Sequence, residues 1–418
     1  MPLDTEPLFP VSVEPDAWRH FPRAMRRWSI GLLLDRVAKP LDRWRACVRN
    51  TLGTAPYRRD PAATILADGQ GCVVAVGDFR GRTGLSRAAQ YESNKLRLRH
   101  PGLILLDLSR QPDGSAAVSA RDLPLPVSCI YLLCEPQRIR RALRMFRPEQ
   151  LAGARRIGLW AWENEVFPRA WHFALKLVDE VWTPSAFSSL AIRSASPLTV
   201  KVVPHNVAVD RNVAAARRAD FGVPERAFLG LAIMDIRACP ERKNPWAHVA
   251  AWQKAFGFSA DHVLLMKVRC SDRTRIVERE LEEMIGQAGN IRLICRDFTD
   301  AEQLAFQRMA DVYLSLHRAE AYGLNIHEFL ELGTPVVATH WSANAEYGPA
   351  YRHYHGVKAS LVPYEDWMRH FSDRRFHWAD ADTDHAARLL RQVTHDKVRE
   401  PGQTASHPAA AFAAAAAG

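Results

Sequence analysis

Neither a disulfide framework nor a C-x-x-C zinc motif can be read in this sequence. Its seven cysteines are an odd number, and no two stand in a C-x-x-C pair. A reducing cytosol is the matching expectation. No uncharged apolar run approaches the ~18 residues that span a bilayer, and Leu123 to Cys134 is among the longest. The N-terminus carries Asp4 and Glu6 where a secretory signal has basic residues before an apolar stretch. No recognised nucleic-acid-binding motif is present, so nucleic acid is not an expected partner. Lysine is scarce too: nine of the 56 basic residues, the other 47 being arginine. What is there is ordinary for a globular chain. The 418 residues are 47% apolar and 24% charged, enough for two or three domains with sizeable cores. The formal charge of +10 favours an anionic partner, although biased codon usage produces the same arginine skew.

The basic residues are unevenly spread. Met25, Trp28 and Leu32 recur at helical spacing, and Leu41, Trp44 and Val48 repeat the pattern after Pro40. Nine Lys/Arg face only Asp35 and Asp42 between Arg19 and Arg49. Residues 15–60 therefore read as a basic helical pair, either docking on an anionic membrane surface or presenting a solvated face. From Gly71–Gly77 (GCVVAVG) onward, short apolar runs alternate with helical stretches. The runs are Leu103–Leu106, Cys129–Cys134, Ile157–Trp160, Glu180–Pro184 and Thr199–Val203. A second set holds Phe228–Met234, Val263–Lys267, Ile291–Ile294, Val312–Leu316 and Pro335–Ala338. This predicts an α/β protein with two doubly wound, Rossmann-like domains and a ligand in the cleft between them. The expected division is a basic helical extension over 1–70, domains over 71–207 and 208–377, a closing helix over 378–400 that crosses back to the first domain, and a mobile Ala-rich tail over 401–418.

The chemistry concentrates in Leu314–Thr339, LSLHRAEAYGLNIHEFLELGTPVVAT. A strand leads to a loop bearing Glu320, Gly323 permits close backbone approach, and a helix begins near Asn325 with Glu328 in its first turn. The N–H groups of Tyr322, Gly323 and Leu324 would face an anion, aided by the helix dipole. Carboxylates on either side suit a molecule with a sugar, a diphosphate and a second sugar. A plain strand-turn-helix fits the same spacing.

This segment resembles the signature of the retaining, nucleotide-sugar-dependent glycosyltransferases of family 4, which have the two-domain GT-B fold. That signature has two glutamates separated by seven residues around a G-F-G-L-type turn, matched here by Glu320 and Glu328. Its ending is matched by Gly333–Thr339 (GTPVVAT). Phe228–Pro245 is similar to the family's diphosphate-binding loop, with Arg237 and Lys243 at the cationic positions, although the loop is one residue longer than the commoner form. Arg156–Pro168 (RIGLWAWENEVFP) resembles a subset with a W-x-W-E signature, and Gly81–Gly84 the glycine loop. The histidine that many members carry near the reacting carbon is absent, which leaves the acceptor-side group unassigned.

The resemblance implies a retaining hexosyltransferase that needs neither cofactor nor metal. Its donor would be GDP-mannose or a UDP-sugar, and its acceptor a glycan or lipid-linked hydroxyl in polysaccharide or glycoconjugate synthesis. Glu320 would be catalytic, with Arg237, Lys243, Tyr322, Gly323, Leu324 and Glu328 on the donor. Gly84, Trp162 and Glu163 would lie at the acceptor or cleft loop. The expected location is cytoplasmic, peripheral to the inner membrane face. A non-catalytic GT-B scaffold is the alternative. Asp380-Ala381-Asp382 imitates a manganese-binding D-x-D but precedes a helix, where aspartate is a usual cap.

Overall fold

In the computed structural model the described residues are 53–399, without 59–63, 68, 110–119, 121–122, 124–125, 238, 288 and 365–374. The basic helices expected over 15–60, with their membrane contact, lie outside them except for one 3-10 turn, Ala55–Tyr57. The tail over 401–418 also lies outside. Among the described residues no helix is long and apolar enough to cross a membrane. The chain divides into two compact units between Val207 and Ala208.

The first unit holds β1 (Cys72–Gly77), α1 (Gly84–Arg99), β2 (Ile104–Asp107) and β3 (Val127–Leu133). Short helices α2 (Ile139–Leu143) and α3 (Pro148–Ala152) lead to β4 (Arg155–Leu159). Then come α4 (His172–Leu175), β5 (Glu180–Thr183), α5 (Ala186–Arg193) and β6 (Thr199–Val202). The six strands are parallel in the order β2-β1-β3-β4-β5-β6. Strand β3, VSCIYLL, is buried along its whole length, as a parallel strand covered on both faces must be. On α1, Ala89 and Leu96 pack onto Ala75, Tyr131 and Ile157 of the sheet.

The second unit runs β7 (Phe228–Asp235), α6 (Pro240–Lys243), α7 (Pro245–Phe256), β8 (His262–Arg269), α8 (Arg275–Ile285) and β9 (Ile291–Ile294). It continues with α9 (Asp300–Gln307), β10 (Val312–Ser315), α10 (Leu324–Leu332), β11 (Val336–Thr339), α11 (Ala343–Tyr347) and β12 (Tyr354–Val357). The parallel order is β12-β11-β10-β7-β8-β9. Renumbered within the unit this is the 3-2-1-4-5-6 order of dinucleotide-binding sheets. Strands β7 and β10 lie side by side at its centre, and the chain leaves them in opposite directions. That opens a crevice at their carboxyl ends.

An antiparallel ribbon, β13 (Ala359–Pro363) and β14 (His377–Ala381), follows. Trp378 on it is fully buried against Ala319 and Cys239. The final helix α12 (Thr383–Arg399) runs along α7 of its own unit. Arg391 Nη1 donates to Lys254 O at 3.0 Å, and Lys254 pairs with Asp384 at 2.9 Å. The D-x-D look-alike is structural. Asp380 pairs with Arg318 at 2.7 Å, and Asp382 accepts the N–H groups of Asp384 and His385 as the cap of α12.

Helix α7 packs tightly on β7 because residue 230 is glycine. A Cβ there would stand 2.5 Å from Cζ3 of Trp252, which is itself fully buried. Gly230→Ala is expected to cost about 1–3 kcal/mol by overpacking. Urea unfolding followed by tryptophan fluorescence checks this; an unchanged midpoint contradicts it.

Candidate functional site

Two loops meet at the carboxyl ends of β7 and β10. From β7 the chain passes through α6, whose last residues are Arg242 and Lys243, and Asn244 turns it into α7 with φ +51°. Asparagine tolerates this left-handed conformation better than most residues. From β10 the chain runs through His317 and Arg318 to Glu320. Arg318 N donates to Arg242 O at 2.8 Å, which fixes one loop against the other.

Three charged side chains converge there. Lys243 Nζ donates to Glu320 Oε1. Arg242 Nη1 donates to Glu320 Oε2 at 3.3 Å and to Ala319 O at 3.1 Å. Glu320 is 17% exposed. Burial alone would push its carboxyl up, but Lys243 and Arg242 hold it at about 2. The group is thus a permanent carboxylate facing two cations, and the cluster carries one net positive charge. Beside it, burial drives the His317 imidazole down to about 4, so the ring is neutral. Its Nδ1 lies 3.1 Å from Ser315 Oγ. Ser342 supports Glu320 from behind: its Oγ accepts Glu320 N at 2.9 Å, and its backbone sits at φ +63°. A non-glycine residue held there carries stored strain.

The turn after Glu320 leads straight into α10. Gly323 has φ +81° and no side chain caps the helix N-terminus, so the first-turn N–H groups, beginning with Leu324, carry the positive end of the dipole. Tyr347 Oη donates to Tyr322 O at 2.8 Å and Gly323 O at 3.1 Å, holding the turn in shape. A Cβ on Gly323 would lie 3.2 Å from that same oxygen. Tyr322 is buried and its hydroxyl reaches His327 Nδ1 at 2.8 Å. Glu328 is 1% exposed and accepts Gln307 Nε2 at 2.9 Å.

Arg237 lies elsewhere in the crevice wall. Its guanidinium clasps Asp235 through two bonds of 2.9 and 2.6 Å. Arg269 stands 3.9 Å from Asp235 and binds Asp297 at 2.7 and 3.0 Å. Those four side chains balance in charge. The cation that joins Lys243 on Glu320 is Arg242, a residue that the motif comparison passed over. His248, which no spacing in the sequence marks, bonds both loops.

In the first unit an open crevice is lined by residues from the carboxyl ends of β1, β3, β4 and β5. Its polar lining includes Asp78, Glu92, Glu135, Arg138 and His205, with Trp160 as an aromatic wall. His205 Nδ1 lies 2.8 Å from Glu92 Oε1. Burial pushes the Glu135 carboxyl up, and the nearby charge of half-buried Glu163 adds to the rise. Trp162, expected at the acceptor loop, is core: it is 2% exposed, packs edge-on against Trp171 and donates from Nε1 to Val166 O at 2.8 Å. Trp160, two residues earlier, takes the wall position. Gly84 is the first residue of α1, behind the Thr83 cap, with open space where a Cβ would go. Gly81 is the glycine the loop requires, its Cβ position being filled by Asp78 and Ser86.

No protein-family model matches the chain, and no curated protein matches it. Solved structures do. A glycosyltransferase from Rickettsia africae superimposes with a TM-score of 0.57 at 13% identity, covering 78% of this chain and 89% of that one. HepE of Anabaena, in complex with UDP and glucose, gives 0.53 at 13% identity, covering 79% and 91%. The N-terminal domain of a Candida albicans trehalose-6-phosphate phosphatase gives 0.51 at 11% identity, covering 81% and 93%. Neighbours named for different reactions share the fold, so the fold alone does not name the reaction. It is nonetheless well defined: two six-stranded, Rossmann-like α/β units, the architecture of the GT-B glycosyltransferases.

Proposed function

We propose that the chain is a retaining glycosyltransferase that takes a sugar from a nucleoside diphosphate donor to a hydroxyl of a glycan or lipid-linked acceptor. The observation that carries the reading is the pairing of Lys243 and Arg242 on a single carboxylate, Glu320, at the switch point of the second sheet. Two cations on one acid leave charge for an anion, and the uncapped start of α10 adds N–H donors for phosphate oxygens. HepE, which shares the fold, is known in complexes with UDP and with UDP-glucose, which supports a diphosphate donor.

In this reading the donor diphosphate competes with Glu320 for Lys243 and Arg242. Those cations stabilise the leaving diphosphate as negative charge builds on it. Glu320 stays ionised at any physiological pH, so it cannot protonate the leaving group. Its role is to stabilise the positive charge that develops on the sugar ring. Retention then follows from attack on the same face that the diphosphate leaves, with the diphosphate oxygen accepting the acceptor's proton. Glu328 is proposed for the ribose hydroxyls, with one oxygen already oriented by Gln307. No metal enters this scheme, because the charge on the leaving group is met by the two side chains.

The test is nucleotide binding. UDP, GDP and their sugars are titrated against the full chain and read by thermal shift. Lys243→Ala is expected to weaken diphosphate binding about 10- to 100-fold, the worth of a charged hydrogen bond. Unaltered affinity in that variant defeats the assignment.

A further inference from the structure

Cys270 directly follows β8 and Cys295 directly follows β9, so the pairing of these parallel strands brings together two thiols that stand 25 positions apart in the chain. Their sulfurs are 3.4 Å apart. Glu278 enters from the first turn of α8, the helix that connects the two strands. A ligand atom from each of the three residues lies within 4.8 Å of the others. We propose that Cys270, Cys295 and Glu278 form a binding site for one thiophilic divalent cation, with zinc as the best fit, separate from the nucleotide site.

The geometry suits a metal better than a disulfide. Two sulfurs bound ~2.3 Å from one tetrahedral zinc stand about 3.8 Å apart, close to the spacing found. A disulfide needs ~2.05 Å between them, a much larger displacement of two strand ends. Charge points the same way. Glu278 and Glu282, one turn apart on α8, both bear on Cys295, and Glu278 also bears on Cys270. A divalent cation among two sulfurs and a carboxylate offsets the negative charge that Glu278 and Glu282 bring to this corner. Cysteine binds a metal as thiolate, so uptake releases protons and binding weakens as pH falls. Thiolate and carboxylate together select zinc over magnesium or calcium.

The consequence is mechanical. Arg269 precedes Cys270, and Asp297 stands two residues after Cys295; these two form the ion pair behind Asp235 and Arg237. An ion bridging the strand ends fixes that pair in place.

Tag-free full-length chain, kept reduced and stripped with chelator, is titrated with zinc and separately with cobalt(II). One equivalent of zinc retained through dialysis, and a sulfur-to-cobalt charge-transfer band, are expected. Cys270→Ser and Cys295→Ser each abolish the band, and Glu278→Gln weakens zinc binding at least about tenfold. The idea fails if the wild-type chain shows no sulfur-to-cobalt band, or if the Cys270→Ser/Cys295→Ser double variant keeps its equivalent of zinc. It also fails if the pair closes to a disulfide (two mass units lost) in preference to binding metal. The wild-type cobalt spectrum decides the matter even if a variant misfolds, and none of these readouts depends on sugar transfer.

Discussion

Glu320→Gln is expected to lower sugar transfer by about two to three orders of magnitude while leaving UDP or GDP affinity unchanged or improved. The first figure is the usual effect of removing one preorganised charge from the position where transition-state charge develops. The second follows from the resting site, where Glu320 occupies Lys243 and Arg242. Glutamine keeps the shape but gives up the charge, so both cations become available to the diphosphate. The free protein should suffer instead, because two neighbouring cations lose their counter-ion. Its melting temperature should fall, and added nucleotide diphosphate should restore part of the loss. Acid behaviour gives an independent check. A carboxyl held at about 2 stabilises the folded state above its ordinary value of about 4.5, and that contribution, about 3 kcal/mol, is lost as pH falls from 4.5 towards 2. The variant lacks this limb. Near-normal turnover in Glu320→Gln, with the acid limb intact, would remove Glu320 from the mechanism.

The two sheets were legible because parallel strands buried on both faces read as unbroken apolar runs, as in FLGLAIM of β7. Strands β12, β13 and β14 escaped for the opposite reason. Tyr354–Val357 is half-buried and begins YHG, and the β13–β14 ribbon mixes His377 and Asp380 with its apolar residues. In the site, the roles proposed for Glu320 and Glu328 could be read from the sequence because their spacing survives in linear order. The choice between Arg237 and Arg242 could not, because it depends on Asp235 folding back on the first and on Glu320 reaching the second. Trp160 and Trp162, two residues of the same type in one motif, are equally buried at 2% exposed, and only the folded crevice, which Trp160 borders and Trp162 does not, separates them. The thiol pair has no local pattern at all; only the register of β8 against β9 creates it.

His248 is the least legible of the important residues, a single imidazole on an apolar helix, and its replacement should have the largest effect on stability. It is 2% exposed on α7. The Asn244 carbonyl lies 2.9 Å from Nδ1 and can only accept, so the proton is on Nδ1; Nε2 then accepts the N–H of Leu316 at 3.0 Å. One neutral ring thus joins the residue after Lys243 to the strand end that leads to Glu320. Burial drives its pKa down to about 4, and the neighbouring His317 acts in the same direction. In the unfolded chain an imidazole titrates near 6.5. Between pH 6.5 and 4 the unfolded state therefore binds the extra proton, and stability falls as pH falls across that window, by about 3 kcal/mol for His248. His317, also held at about 4, adds a loss of the same sign. His248→Leu strands the buried N–H of Leu316 at about 1–3 kcal/mol, while the Asn244 carbonyl keeps the Ala247 N–H at 3.2 Å, so at pH 7 the variant should unfold at lower urea and lose transfer with it. His248→Gln, which carries one donor and one acceptor and does not titrate, should recover part of the stability and flatten the slope between pH 6.5 and 4. If urea midpoints of His248→Gln track those of the parent chain across the same pH range, the imidazole is not what ties the two loops together.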